Sequence, residues 1–327
     1  MNDRVRVGVI GLGSMGRNHV RVLGQLPIAR LVGAVDPRGD EQEALSPGAA
    51  HPDLESLLHE GIEAAVVAVP SADHARVALR LAEAGIHVLI EKPIAADVPS
   101  ARAICAAFAG TGLVAAVGHI ERFNAANQEL RRRLEGGALG PVIAISTERV
   151  GPYPLRIQDV GVVRDLATHD IDLVQWLGGP IRAMAAHLGY RMGGRHEDLV
   201  EVIGRLESGA VVRISVNWLT PTKRRRLTVL GERGAMVADM LSSDLTHFTN
   251  ADVPMEWDQM QRLRGVSEGD SIRYALRKRE PLAVELESFC RAVRGDDQAQ
   301  IVTLEEGLRA VETAERILDL SPREVGG

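Results

Sequence analysis

Three sets of residues in this 327-residue chain have the type and spacing to do chemistry. The first is Gly11-Leu12-Gly13-Ser14-Met15-Gly16, with Asp36 standing 20 residues after the last glycine. A G-x-G-x-x-G run between a strand and a helix holds a pyrophosphate. Gly11 permits the tight turn, Gly13 the close approach of the backbone, and Gly16 the packing of helix on strand. The amides around Ser14 and Met15 then point at the phosphates. The second is Lys92, set between Glu91 and Pro93. A lysine can hydrogen-bond a substrate oxygen and steady negative charge developing there. The third is Asp165 with His169, four residues apart and so on one face of a helix. His169, with an ordinary pKa near about 6.5, can accept a hydroxyl proton. Asp165 can orient the imidazole or bind substrate, and Asp172 is an alternative orienting group. Taken alone, the pair reads as an ordinary solvated helix-surface contact. A metal site from Asp165, His169 and Asp170 is not expected, because Asp170 adjoins His169 and points elsewhere.

These groups are useful only if the right elements carry them. Val5–Ile10, Leu31–Val35, Ala64–Val69, Ile86–Ile90 and Leu113–Val117 read as strands. They alternate with helical stretches at Met15–Leu26, Pro52–Leu58, His74–Ala84 and Ala101–Ala109. Strands apolar throughout imply a sheet buried on both faces, hence a doubly wound parallel α/β domain over residues 1–118. Lys92 then stands at the carboxyl end of a parallel strand, where ligands bind in such sheets. His74 falls near a helix start, as a cap or as a functional contact. His119 and Asn124 follow the last strand and could line a substrate cleft.

From residue 119 to 327 the pattern changes. Helices are expected at Asn124–Leu134, Asp165–Leu177, Ala283–Arg294 and Leu304–Leu318, with a strand at Val142–Thr147. Glu207-Ser208-Gly209 and Gly231–Gly234 mark hairpins. This domain is expected to be α+β with a large, mostly antiparallel open sheet, and the C-terminal helices could return to the first domain. Arg149, Tyr153 and Arg156 are placed on a Gly- and Pro-rich loop. Arginines there would suit a diphosphate, which they bind bidentately; otherwise the loop is simply solvated. Lys223-Arg224-Arg225-Arg226 reads as a solvated charge run.

Bulk properties narrow the partners. Hydrophobic residues make up 45% and charged residues 25%, an ordinary globular composition. A net charge of −6 argues against a nucleic-acid binder, which needs a basic surface. Cys105 and Cys290 have no metal spacing and read as reduced thiols of a cytoplasmic protein. No signal-peptide pattern opens the chain, and no apolar run reaches the roughly 20 residues of a membrane span. Asp36 would accept hydrogen bonds from ribose hydroxyls and repel a 2′-phosphate, favouring NAD, while Arg38 leaves NADP open.

Five segments together resemble the Gfo/Idh/MocA oxidoreductases. They are the glycine fingerprint with His19 after it, Val69-Pro70 followed by His74, Glu91-Lys92-Pro93, Gly118-His119, and Asp165-x-x-x-His169. Within the family, Gly118–Asn124, the Arg149–Arg156 segment and Asp165–Asp172 resemble sugar-nucleotide dehydrogenases of the UDP-N-acetylglucosamine 3-dehydrogenase type. Ala125 stands where that subgroup usually has proline. The resemblance implies an NAD-dependent dehydrogenase that oxidises a secondary hydroxyl of a sugar or nucleotide sugar. Lys92, Asp165 and His169 would be catalytic, with Val69, Pro70, His74 and Glu91 near the cofactor. His119, Asn124, Arg149, Tyr153 and Arg156 would meet the substrate. We assign His169 as base and Lys92 as oxygen stabiliser, although spacing alone allows the reverse. A free polyol such as an inositol is the alternative substrate, and a non-catalytic NAD-binding sensor the alternative of another class. The family further implies a homodimer or homotetramer packed through the outer face of the second sheet.

Overall fold

The computed structural model describes residues 4–40, 43–46, 48–154, 160–193, 195–251 and 268–320. The chain divides into two compact units, residues 1–123 with Arg279–Arg316, and Asn124–Lys278 with the C-terminal remainder.

The first unit is built on a six-stranded parallel sheet. Its elements are β1 (Val5–Ile10), α1 (Ser14–Leu23), β2 (Ala29–Val35), β3 (Ala50–His51), α2 (Leu54–His59), β4 (Ala64–Val67), α3 (His74–Glu83), β5 (His87–Glu91), α4 (Val98–Phe108) and β6 (Ala115–Gly118). The strand order is β3-β2-β1-β4-β5-β6, so the chain reverses direction across the sheet between β1 and β4. Burial on both faces explains why the central strands are largely apolar. Val67, Ile90, Leu81 and Ile104 pack on one side, while Val7, Val9, Leu23 and Val66 pack on the other. Two-residue β3 is too short to leave an alternation in the sequence, and it escaped the pattern reading.

The second unit contains α5 (Ala125–Glu135), β7 (Val142–Val150), α6 (Thr168–Gly178), β8 (Ile181–Gly189), β9 (Leu199–Leu206), β10 (Val211–Asn217), β11 (Arg224–Gly231), β12 (Gly234–Asp239), β13 (Asp244–Thr249) and β14 (Ser271–Arg273). The eight strands run β14-β13-β12-β11-β7-β10-β9-β8, all antiparallel except the β7–β10 pair. Strand period two sorts the side chains. Ile145, Val202, Val212, Ile214 and Val229 are buried on one face, while Ile203, at 64% exposure, Val211 and Leu230 are exposed on the other.

Helices α7 (Pro281–Val293) and α8 (Leu304–Leu320) end the chain. Leu282, Leu286, Phe289 and Cys290 of α7 join the β1-side core, which makes this segment part of the first unit. Both cysteines are free, and burial pushes the Cys290 thiol up to about 12. No helix among the described residues is long and apolar enough to cross a membrane.

Candidate active site

The turn between β1 and α1 has the shape its glycines require. Gly11 is left-handed at φ +96°, and a Cβ there would lie 2.5 Å from the Ala68 carbonyl oxygen. A Cβ on Gly16 would fall 1.8 Å from the Gly11 carbonyl oxygen. Gly13, the N-cap of α1, instead faces open space, with nothing within 4 Å of such a Cβ. No side chain caps this helix end and no acidic residue stands in its first turn. The free amides at the start of α1 and the gap over Gly13 suit the pyrophosphate of a dinucleotide.

Asp36, just beyond β2, does two jobs. Its Oδ2 accepts from the Leu12 amide at 2.8 Å, inside the glycine turn, and its Oδ1 accepts from the Arg38 amide at 2.9 Å. Burial raises the pKa of this carboxyl, but the Arg38 and Leu12 amides and the Arg38 guanidinium outweigh it. Asp36 is therefore held below its ordinary value and stays anionic. The Leu12 bond joins positions 24 apart and left no mark in local sequence.

Lys92 follows the last residue of β5, Glu91, whose buried carboxylate is fixed at both oxygens. Oε1 lies 2.7 Å from Nε2 of fully buried His19, and Oε2 accepts from the Lys92 amide at 3.2 Å. Burial raises the Glu91 pKa, but the His19 contact and the Lys92 charge more than offset it, and the group is held low. On the other side of Lys92, the His74 ring is packed among carbonyls. Its Nδ1 is 3.0 Å from the Pro93 oxygen and its Nε2 is 3.0 Å from the Val69 oxygen. His74 is thus withdrawn from direct ligand contact. It is a buried clamp between the Val69-Pro70 and Pro93-Ile94 segments, and burial pushes its pKa down.

The helix carrying the acid–base candidates begins earlier than periodicity predicts. One π-helical turn, Val163–Ala167, precedes α6 and contains Asp165. Such single turns recur at functional sites. Asp165 and His169 lie on the half-buried side of this segment, while Asp170 and Asp172 are buried.

The structure gives internal partners to two residues expected to meet the substrate, Arg149 and Asn124, and locates His119 and Tyr153. Arg149 is not on a loop: β7 runs to Val150, and the guanidinium is buried with Nε 2.6 Å from Asp170 Oδ2. An arginine committed to a buried carboxylate is not available for a diphosphate. Asn124 caps α5, accepting from the Ala126 amide at 3.0 Å and donating to the Met240 carbonyl at 3.0 Å, so both ends of its amide are used internally. Ala125 is the first residue of α5, a position where proline would also fit. His119 is buried at 1% exposure. Tyr153 is half-buried and meets Trp218 edge-on at 5.8 Å between ring centres. Arg156 lies outside the described residues. The Lys223–Arg226 run opens β11, with Arg224 3.2 Å from Glu148 in a solvated ion pair.

Residues 5–119 match the model of an oxidoreductase family with an NAD-binding Rossmann fold, and residues 127–237 match the GFO/IDH/MocA C-terminal domain. The chain belongs to the Gfo/Idh/MocA family. It is an oxidoreductase that uses a nicotinamide cofactor and acts on a small molecule. Among similar members, a UDP-N-acetylglucosamine 3-dehydrogenase from Acidithiobacillus ferrooxidans is 29% identical over 88% of each chain. The crystal structure of that enzyme superposes with a TM-score of 0.85 at 26% identity, covering 97% of both chains. A scyllo-inositol 2-dehydrogenase (NAD(+)) from Bacillus subtilis is 27% identical over 72% of this chain and 74% of its own.

Proposed function

We propose that this Gfo/Idh/MocA member oxidises a secondary hydroxyl of a nucleotide sugar, C3 of a UDP-N-acetylglucosamine-like substrate, with NAD as cofactor. The observation that carries the chemistry is the orientation of the α6 segment, which keeps Asp165 and His169 on its half-buried side and turns Asp170 into the core. In this reading His169 takes the hydroxyl proton, Asp165 orients the imidazole or bonds the sugar, and Lys92 steadies the developing oxygen charge. Bound nicotinamide supplies the hydride acceptor. NAD is favoured over NADP because the buried, anionic Asp36 would repel a 2′-phosphate. The nucleotide-sugar assignment rests on likeness to the A. ferrooxidans enzyme over 88% of the chain.

A free polyol is the second reading, favoured by the burial of Arg149, which removes one cation from those expected to hold a diphosphate. The outer face of the eight-stranded sheet, with Ile203, Val211 and Leu230 exposed, supports association with a second copy of the chain.

NADH absorbance with NAD and a panel of UDP-sugars, hexoses and inositols tests these readings, run beside Lys92→Ala and His169→Ala. Turnover of a UDP-sugar, lost in both variants, supports the first reading. Turnover confined to inositols supports the second. Cofactor binding with no turnover on any substrate would favour a sensor.

A further inference from the structure

The helix that carries Asp165 and His169 has to start at a defined residue, and a buried carboxylate defines that start. Val162 donates its amide to the Glu197 carbonyl oxygen at 3.0 Å, and Val163 donates to Glu197 Oε1 at 3.0 Å. The first amides of a helix have no partner within it, and a carboxylate there also meets the positive end of the helix dipole. Glu197 is 5% exposed. Its carboxylate is pressed against Gly161 so closely that a Cβ there would lie 2.1 Å away. The Gly161 carbonyl in turn accepts the Asp165 amide at 3.0 Å.

Glu197 is itself anchored through its neighbour. The Asp198 amide donates to the Gly189 carbonyl at 2.9 Å, and its carbonyl accepts the Trp218 amide at 2.9 Å. Its Oδ2 accepts the Met192 amide at 2.6 Å. The ends of β8 and β10 therefore fix Glu197, and Glu197 fixes the first turn of the helix. That turn is the π-turn. Restoring ordinary α-helical spacing there would rotate the residues before it by about 100° relative to α6.

We propose that Glu197 is a positioning residue for the Asp165–His169 pair: it holds the π-turn in register and so sets where Asp165 stands relative to His169. The inference rests on the assignment of His169 as base and names a residue outside that acid–base set. It predicts a hierarchy among substitutions. Glu197→Gln keeps the chain length and an oxygen acceptor for Val163. Glu197→Asp keeps the charge but draws the acceptor back. Glu197→Ala removes it.

The test combines steady-state kinetics, NADH binding by fluorescence, and hydrogen exchange over Val162–His169, with His169→Ala as control. Glu197→Gln should keep kcat within about threefold of wild type. Glu197→Asp and Glu197→Ala should lower kcat by about 10²-fold. Their NADH affinity should not change, and exchange of the 162–169 segment should be faster. If Glu197→Ala does not fold, Glu197→Asp and Gly161→Ala carry the comparison. The inference is overturned if folded Asp or Ala variants keep wild-type kcat, or if Gln falls as far as Ala. Full activity in His169→Ala overturns the base assignment itself. Loss of activity in His169→Ala with full activity in Glu197→Ala overturns only the positioning role.

Discussion

Nε of Arg149 lies 2.6 Å from Oδ2 of Asp170, with both side chains buried, β7 on one side and α6 on the other. Removing one partner leaves an uncompensated charge in the interior. Arg149→Ala or Asp170→Ala should therefore cost about 3–5 kcal/mol of stability. The pair Arg149→Met with Asp170→Leu should recover most of it, as read by urea unfolding. A raised substrate KM with unchanged stability in Arg149→Lys would instead return Arg149 to the substrate site.

The Leu12 bond and the negative charge of Asp36 make separable predictions. Asp36→Ala leaves the Leu12 amide without its acceptor and should cost about 1–3 kcal/mol. It also removes the charge opposing a 2′-phosphate. The ratio of kcat/KM for NADP over NAD should then rise about tenfold or more. An unchanged ratio would mean that Asp36 serves the glycine turn alone.

Gly13 and Gly16 should fail in different ways. Gly13 faces open space, so Gly13→Ala should change stability by no more than about 1 kcal/mol. Its methyl would nevertheless stand where a pyrophosphate approaches, weakening NADH binding about tenfold or more. Gly16→Ala drives a methyl into the Gly11 carbonyl and should lose stability and binding together. Equal behaviour of the two variants would contradict the cradle.

His74 gives the stability curve an acid limb. Unfolded, its ring titrates near about 6.5. Folded, burial holds the pKa lower, so below about 6.5 the unfolded chain binds the extra proton and stability falls with falling pH. His74→Gln should flatten that loss, measured as urea midpoints at about pH 5.5 and about pH 7.5. An identical pH dependence in variant and wild type would remove His74 from this account.

On the outer face of the second sheet, Ile203→Glu with Val211→Glu puts charge on exposed apolar positions. Folding should be unaffected, while light scattering should report a single chain in place of a dimer or tetramer. If the wild-type chain is itself monomeric, the face does not pair copies.

Much of this protein could be read from short stretches of sequence. The parallel sheet followed from strands such as Ala64–Val67, apolar and buried at every position, because a strand covered on both faces has little room for polar side chains. The glycine turn was legible because its three glycines lie within six residues, although the Ala68 carbonyl that crowds Gly11 and the Asp36 carboxylate that holds the Leu12 amide come from further along the chain. The α6 helix was legible too, but its π-turn was not, since the widening depends on Glu197, 34 residues further along the chain. The same limit explains Arg149 and Asn124. Arginine and asparagine types near a candidate site are compatible with ligand contact or with internal pairing. Only packing decides which, by bringing Asp170 to the one and Met240 to the other. Local sequence determined most of the elements and the residue types offered at Lys92, Asp165 and His169. Tertiary structure decided which charges were consumed inside, because burying a charge is costly unless a partner, often distant in sequence, meets it there.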